Sequence, residues 1–462
     1  MIKIYFDWNV LSQMKNGNHP YIKEIIQNND KYLIPFSTSH INDITSNIDD
    51  SSRQQQLINT DLEFISKITK EYCLFNNGKG IVLDIFPPRE LYNQNLDSKD
   101  QFKDFSIEGL LRNFEEDDEI KGLVEPLFNS LMSIPLEESF KQAFDNPESA
   151  QIMEQMFPGL KENPTMEGFF QSFNNINREL NHEEGYKQLR KTVQSGMGIN
   201  RDQIFNTQNP FEYIKTFYDK LGVTSNFAKL DSSYAPKWFN DITEQYLQLD
   251  LHGYQEDKVS VKRNRKETFR NTTDDAFHAA FASTCNIYVI NDKRAYKKTK
   301  QVYENLNINT WVFLPQEFLD FHGKYLKNDN PILDLKLMQH IMESENFYDY
   351  ENENGVYRTF YFPYFLFGFF NKMICYYSNE DAKENSTFLS QDKPTNWFLL
   401  TKEVELLVKR LLGYFGSDTN LEGELKQNEF DSEDWSGRRW NFETLTLRLI
   451  CKNGFVQLYW DN

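Results

Sequence analysis

"KIYFDWNVLS", residues Lys3 to Ser12, carries an apolar run that stops on a carboxylate. Ile4, Tyr5 and Phe6 have the β-branched and aromatic character of a buried strand, and Asp7 stands where that strand would leave its sheet. A carboxylate in that place either caps the next helix or acts as a ligand. At the carboxyl end of a strand in an open α/β sheet it faces the crevice where such folds bind ligands. Fold and function therefore turn on whether other carboxylates meet Asp7.

Outward from this stretch the chain alternates. "YIKEIIQNN" has helical spacing, "KYLIPFS" (Lys31–Ser37) is a second short apolar run, and "STSHINDI" opens a helix that carries Asp43. A further helix is expected from Asp61 through Tyr72, and "KGIVLDIFPP" reads as extended chain ending at two prolines. From about Gln94 to Asp257 the segments become long, acidic and rich in Phe and Asn, with helical periodicity. Alternation then resumes. "TTDDAFHAAFASTC" (Thr272–Cys285) reads as a capped helix with a small-residue face, followed by the strand "IYVIND", a basic helix, the strand "NTWVFLP" and the closing helix "QEFLDF". Residues 330–462 form a tail of domain size, expected to be α+β, in which Asn453-Gly454 between two alternating runs predicts a hairpin.

This order places Asp7 at the end of the first strand, Asp43 on the helix after the second, Asp274 and Asp275 at the opening of the small-residue helix, and Asp292 at the end of the strand that follows. In a parallel sheet with right-handed crossovers, strand ends and the starts of the following helices share one edge, so these acids are expected to converge. Clustered carboxylates are costly unless a cation neutralises them, and Mg²⁺ or Mn²⁺ accepts oxygen ligands while keeping several waters. Such a centre can activate water against a phosphodiester.

Together, "IYFDWNVLS", "IPFSTSHINDI", "DDAFHAAFAS" and "VINDKRAYKK" with "FLPQEFL" resemble, in order, the signatures of PIN-domain nucleases. The resemblance implies a three-layer α/β/α sandwich with a central parallel sheet, built from residues 1–95 and 258–325. Residues 96–257 would be a mostly helical insertion and residues 330–462 an accessory domain. It further implies metal-dependent cleavage of RNA by Asp7, Asp43, Asp275 and Asp292, with Asp274 competing for the third position. Asn9, Ser37 and Asn291 are the polar neighbours expected to hold these ligands. Each acid also has a structural role open to it, as a helix cap, a turn residue or a solvated helix residue. His40 and His278 read as structural, because the chemistry requires no imidazole.

The net charge of −19 disfavours nonspecific coating of nucleic acid, which is driven by Lys and Arg. Against that background, Lys258 to Lys300 holds eleven Lys and Arg against four acids, a surplus of seven positive charges flanking the proposed ligands. Lys262, Arg263, Arg265, Lys266, Arg270, Lys293, Arg294 and Lys297 are the expected RNA contacts, with Tyr254, Phe269 and Tyr296 able either to stack bases or to pack in the core. Cys73, Cys285, Cys375 and Cys451 are scattered and read as reduced, buried thiols. "TFYFPYFLFGFFNKMICYY" (Thr359–Tyr377) is broken by Pro363, Gly368, Asn371 and Lys372, and reads as a core segment rather than a membrane span. With no signal-peptide pattern at the amino terminus, a cytoplasmic protein is expected.

The insertion and the tail suit a toxin or anti-phage effector with a regulatory partner or self-association. The rival readings are a catalytically silent PIN-like module that binds RNA or protein, and a phosphotransfer fold of the haloacid dehalogenase type. The latter needs an acid where Asn9 stands.

Overall fold

In the computed structural model, Ile2–Phe6 forms strand β1, buried along its whole length. The structure describes residues 1–27, 31–45, 52–77, 80–94, 198–221, 235–256, 269–327, 330–379, 385–393, 397–426, 435–452 and 454–461, with residue 429 and scattered residues between 142 and 194. By its contacts the chain divides into two units. One comprises Met1–Pro88, Leu230–Ile242 and His278–Asn462, the other Arg89–Lys229 and Thr243–Phe277.

In the first unit β1 is an inner strand of a four-stranded parallel sheet. It pairs on one side with β2 (Tyr32–Leu33) and on the other with β6 (Ile287–Val289), which pairs in turn with β7 (Trp311–Phe313). The "IYVIND" strand thus lies beside the strand ending at Asp7, and the chain is mixed α/β. Helices α1 (Trp8–Lys15), α2 (Pro20–Gln27), α3 (Thr38–Thr45) and α4 (Ser52–Thr69) follow in the amino-terminal segment. A second, three-stranded sheet joins β3 (Phe36–Ser37) parallel to β4 (Tyr72–Asn76), and β4 antiparallel to β5 (Ile81–Ile85).

Alternation along β1 assigns its faces. Ile2, Ile4 and Phe6 join a core with Val10, Leu11, Met14, Ile22 and Phe318. Lys3, Tyr5 and Asp7 therefore point to the opposite face. Both faces are covered, as parallel sheets require, which explains why the run reads as continuously apolar.

The second unit contributes α5 (Arg201–Phe205), capped by Asn200, and α6 (Pro210–Leu221). Helix α7 (Lys237–His252) and helix α8 (Phe269–Ala282) each contribute residues to both units. Inside the second unit the carboxylate of Asp250 lies 3.4 Å from the Arg190 guanidinium, both buried. Much of the 96–257 segment lies outside the described residues.

After β6 the first unit continues with α9 (Lys293–Asn305), α10 (Pro315–Phe321), one π-helical turn (His322–Leu326) and α11 (Pro331–Met342). Then comes a seven-stranded antiparallel sheet. Its strands β8 (Tyr348–Asn352), β9 (Gly355–Leu366), β10 (Phe370–Ser378), β11 (Ser386–Ser390), β12 (Trp435–Asn441), β13 (Thr446–Lys452) and β14 (Phe455–Asp461) lie in the order β12-β13-β14-β11-β10-β9-β8. Helix α12 (Trp397–Phe415) shares a core with one face of it, through Leu400, Val404, Leu407 and Leu411 against Phe360, Met373, Leu389 and Leu458.

The predicted hairpin is β13–β14, with Lys452 opposite Phe455 and Gly454 at φ +74°. The long apolar run is the β9–β10 hairpin. Its core reading holds for one face only: Phe360, Phe362, Met373 and Cys375 point inward, whereas Tyr361 is exposed and Lys372 and Ile374 are half-buried. All four cysteines are free and buried. No described helix is long and apolar enough to cross a membrane.

Candidate functional site

Asp7 ends β1 and is held there by main-chain geometry. Its N–H donates to Val289 O at 2.9 Å, continuing the β1–β6 pairing, and its side chain caps α1 by accepting from Asn9 N at 3.3 Å. The carboxylate is a cap and is also almost completely buried. Burial pushes its pKa up to about 6; His278 and the Asn9 amide oppose this shift, and the charges of Asp43 and Asp292 add to it. A carboxylate raised by burial beside other carboxylates is one that a cation would relieve.

Asp43 lies inside α3 and reaches His278, whose Nε2 is 2.9 Å from Asp43 Oδ2. Asp7, Asp43 and His278 each offer a ligand atom, and these three atoms lie within 4.8 Å of one another. His278, which the sequence reading gave a structural role, thus stands beside the two carboxylates. A buried polar chain supports it: Tyr5 Oη lies 2.7 Å from His278 Nδ1 and 2.6 Å from Ser37 Oγ.

The protons in this chain can be assigned from the partners. His40 Nε2–H donates to Phe6 O at 2.8 Å, so its Nδ1 accepts from Ser37 N–H at 3.0 Å. Burial holds the His40 imidazole well below its ordinary pKa and the Tyr5 phenol well above its own, so both are neutral. With His278 Nε2–H donating to Asp43, Tyr5 O–H donates to His278 Nδ1 and Ser37 O–H to Tyr5. If Nε2 instead gives its lone pair to a cation, each of these O–H bonds can reverse. Nδ1–H then donates to Tyr5, Tyr5 to Ser37, and Ser37 Oγ to His40 Nδ1, 3.2 Å away. Outer partners of this kind fix the ring orientation of a metal-ligating histidine.

Asp292 caps α9, its Oδ1 accepting from Arg294 N at 2.7 Å and Ala295 N at 3.0 Å. It is exposed, and its charge is felt at Asp7, but it is not among the three clustered ligands. Asn291 precedes it, half-buried, and Asn9 is exposed. Asp274 and Asp275 do not open α8. That helix is described from Phe269, so both lie inside it, one turn before His278. The two threonines look like a cap in sequence but lie inside the helix.

Of the basic residues, Lys293 and Lys297 are exposed and Arg294 half-buried on α9, next to Asp292. Arg270 lies on α8. Lys262, Arg263, Arg265 and Lys266 lie outside the described residues. Tyr296 is half-buried, with the Lys300 ammonium 5.1 Å above its ring, and Tyr254 is buried. A cavity of about 380 Å³ lined by Lys3, Leu33, Leu74, Trp238 and Lys393 opens at the amino end of β1, away from Asp7, and takes no part in this cluster.

Comparison of the chain with protein-family models, with curated proteins and with solved structures finds no match.

Proposed function

We propose that the carboxyl edge of the parallel sheet is the active site of a PIN-type, metal-dependent nuclease that cleaves RNA, in the setting of a toxin or anti-phage effector. The observation that carries this reading is the cluster of Asp7, Asp43 and His278, with ligand atoms within 4.8 Å at the end of an inner strand. The donor set fits a divalent cation. Two carboxylates suit Mg²⁺ or Mn²⁺, and the imidazole nitrogen tips the choice towards Mn²⁺. Such a cation, when bound, polarises a phosphodiester and lowers the pKa of a coordinated water. Asp7 and Asp43 supply the negative charge that holds it, while Tyr5 and Ser37 orient His278. Lys293 and Lys297, beside Asp292, are placed to meet a phosphate backbone. Asp274 or Asp275 remains the proposed third acid.

The decisive assay presents purified protein with RNA and DNA oligonucleotides in EDTA, Mg²⁺ and Mn²⁺. Cleavage of RNA that needs a cation, and runs faster with Mn²⁺, is expected. No cleavage with any cation would favour the silent binding module, a reading supported by the 2.9 Å contact that already pairs His278 with Asp43.

Replacing His278 with Gln tests its role directly. As a ligand, its loss should weaken activation by Mn²⁺ about 10- to 100-fold and by Mg²⁺ much less, so the preference narrows. Equal losses with both ions in metal titrations of activity would show that His278 only orients Asp43.

A further inference from the structure

The seven-stranded sheet packs one face on α12 and turns the other outward, and the outward face has an unusual composition. Cross-strand pairing carries one line of side chains across the whole sheet. Thr359, Ile374, Phe388, Tyr459 and Arg448 occupy successive strands, with Tyr348 at the β8 end and Arg439 at the β12 end. With strands about 4.8 Å apart, six intervals make a track of about 29 Å. A parallel line adds Tyr350, Tyr357 and Tyr376.

These side chains are apolar yet accessible. Tyr348 and Tyr350 are 68% and 66% exposed, and Tyr357, Tyr376, Phe388 and Tyr459 are half-buried. Rings are already presented in layers: Phe388 and Tyr459 stack at 5.0 Å with planes 26° apart, and the Arg448 guanidinium lies 5.0 Å above Tyr459.

Charge identifies the occupant. The chain carries 69 Asp and Glu, yet among the described residues of the paired strands only Asp461, opposite Thr446 at the end of β14, falls in register with this face; Asp392, past the end of β11, borders it near Lys372. Lys372, Arg439, Arg448 and Lys452 are its cations, so positive charge prevails on it. Arg439 and Arg448 stand directly opposite each other, so two guanidinium groups are presented side by side on this face. Aromatic platforms interleaved with cations on a sheet are the chemistry that receives stacked bases and their phosphates.

We infer that this face binds single-stranded nucleic acid, with bases on the Tyr and Phe rings and phosphates at Arg439 and Arg448. It is a binding surface separate from the Asp7 cluster and does not depend on cleavage there.

The test is fluorescence anisotropy of labelled oligouridylate, oligothymidylate and a short duplex, all in EDTA so that no metal-dependent cleavage can intervene. The single strands should bind more tightly than the duplex, and the tighter of the two identifies RNA or DNA as the ligand. R439Q/R448Q should weaken binding and lower the salt slope by about 1.4, from ~0.7 for each lost phosphate contact. Y348A/Y350A should weaken binding about tenfold or more with little change in salt slope. Unfolding midpoints of both variants should stay near wild type, since the substitutions are at the surface.

Unchanged affinity in both variants, or a duplex bound as tightly as the single strands, overturns the assignment. So does a wild-type protein that ignores both oligonucleotides and self-associates through this face in sedimentation. Failure of the cation-dependent cleavage assay would remove the nuclease reading and leave this one intact.

Discussion

Asp7→Asn is expected to reduce RNA cleavage by about 10³-fold, because the loss of one ligand charge weakens the cation and misplaces the water it holds. The same substitution should stabilise the cation-free fold. The Asp7 carboxyl is raised from its ordinary value to about 6, mainly by burial. Between the ordinary value and about 6, the native state keeps a proton that the unfolded chain has released. Stability therefore falls as pH rises through that window, and above it the native state carries the whole cost of the buried charge, of order 3 kcal/mol. Asn has nearly the same shape and no charge. Urea unfolding in EDTA should give a higher midpoint for Asp7→Asn than for wild type at pH above about 6, converging towards pH 4. Mn²⁺ should stabilise only the wild type, by about 2.7 kcal/mol at a hundredfold excess over Kd, which nearly closes the gap, and by about 4.1 kcal/mol at a thousandfold excess, which reverses the order. A wild-type protein that Mn²⁺ does not stabilise would sink the metal-centre reading, whatever the cleavage assay gives.

The parts of the first unit that were legible in sequence are those set by short-range pattern. Ile4, Tyr5 and Phe6 could only be a strand buried on both faces, and "IYV" repeats that signature, so the β1–β6 pairing follows from parallel-sheet rules. The part played by His278 was not legible. A histidine in an Ala-rich helix looks the same whether it packs or ligates, and what distinguishes the cases here is Tyr5, a residue 273 positions away that holds its Nδ1. The outward face of the antiparallel sheet was hidden for a different reason. Where the solvent-facing positions are Tyr and Ile, alternation between the faces is lost, and "TFYFPYFLFGFF" reads as uniformly apolar. The start of α8 was misplaced because Thr272 and Thr273 are good cap residues that also occur within helices, and cap preference alone does not tell the two apart.

Phe6→Ala separates what holds the strand from what the strand presents. Phe6 is fully buried and meets Phe318 edge-to-face at 5.9 Å, in the core shared with Ile4, Val10 and Val289. Truncation to Ala removes the ring and leaves a cavity that neighbouring strands, fixed by their ladders, cannot close, so a loss of about 3–5 kcal/mol is expected. The urea midpoint should drop with an unchanged m value. Activity should behave differently. Phe6 and Asp7 point to opposite faces of β1, and the main-chain bond from Asp7 N to Val289 O does not involve the lost ring. Under conditions where the variant remains folded, its cation-dependent cleavage should therefore stay within a few-fold of wild type, in contrast to the loss in Asp7→Asn. If Phe6→Ala abolishes cleavage while its unfolding midpoint hardly moves, the two faces of β1 do not divide into core and site, and the catalytic residues must be sought on the face that Phe6 shares with α1 and α10.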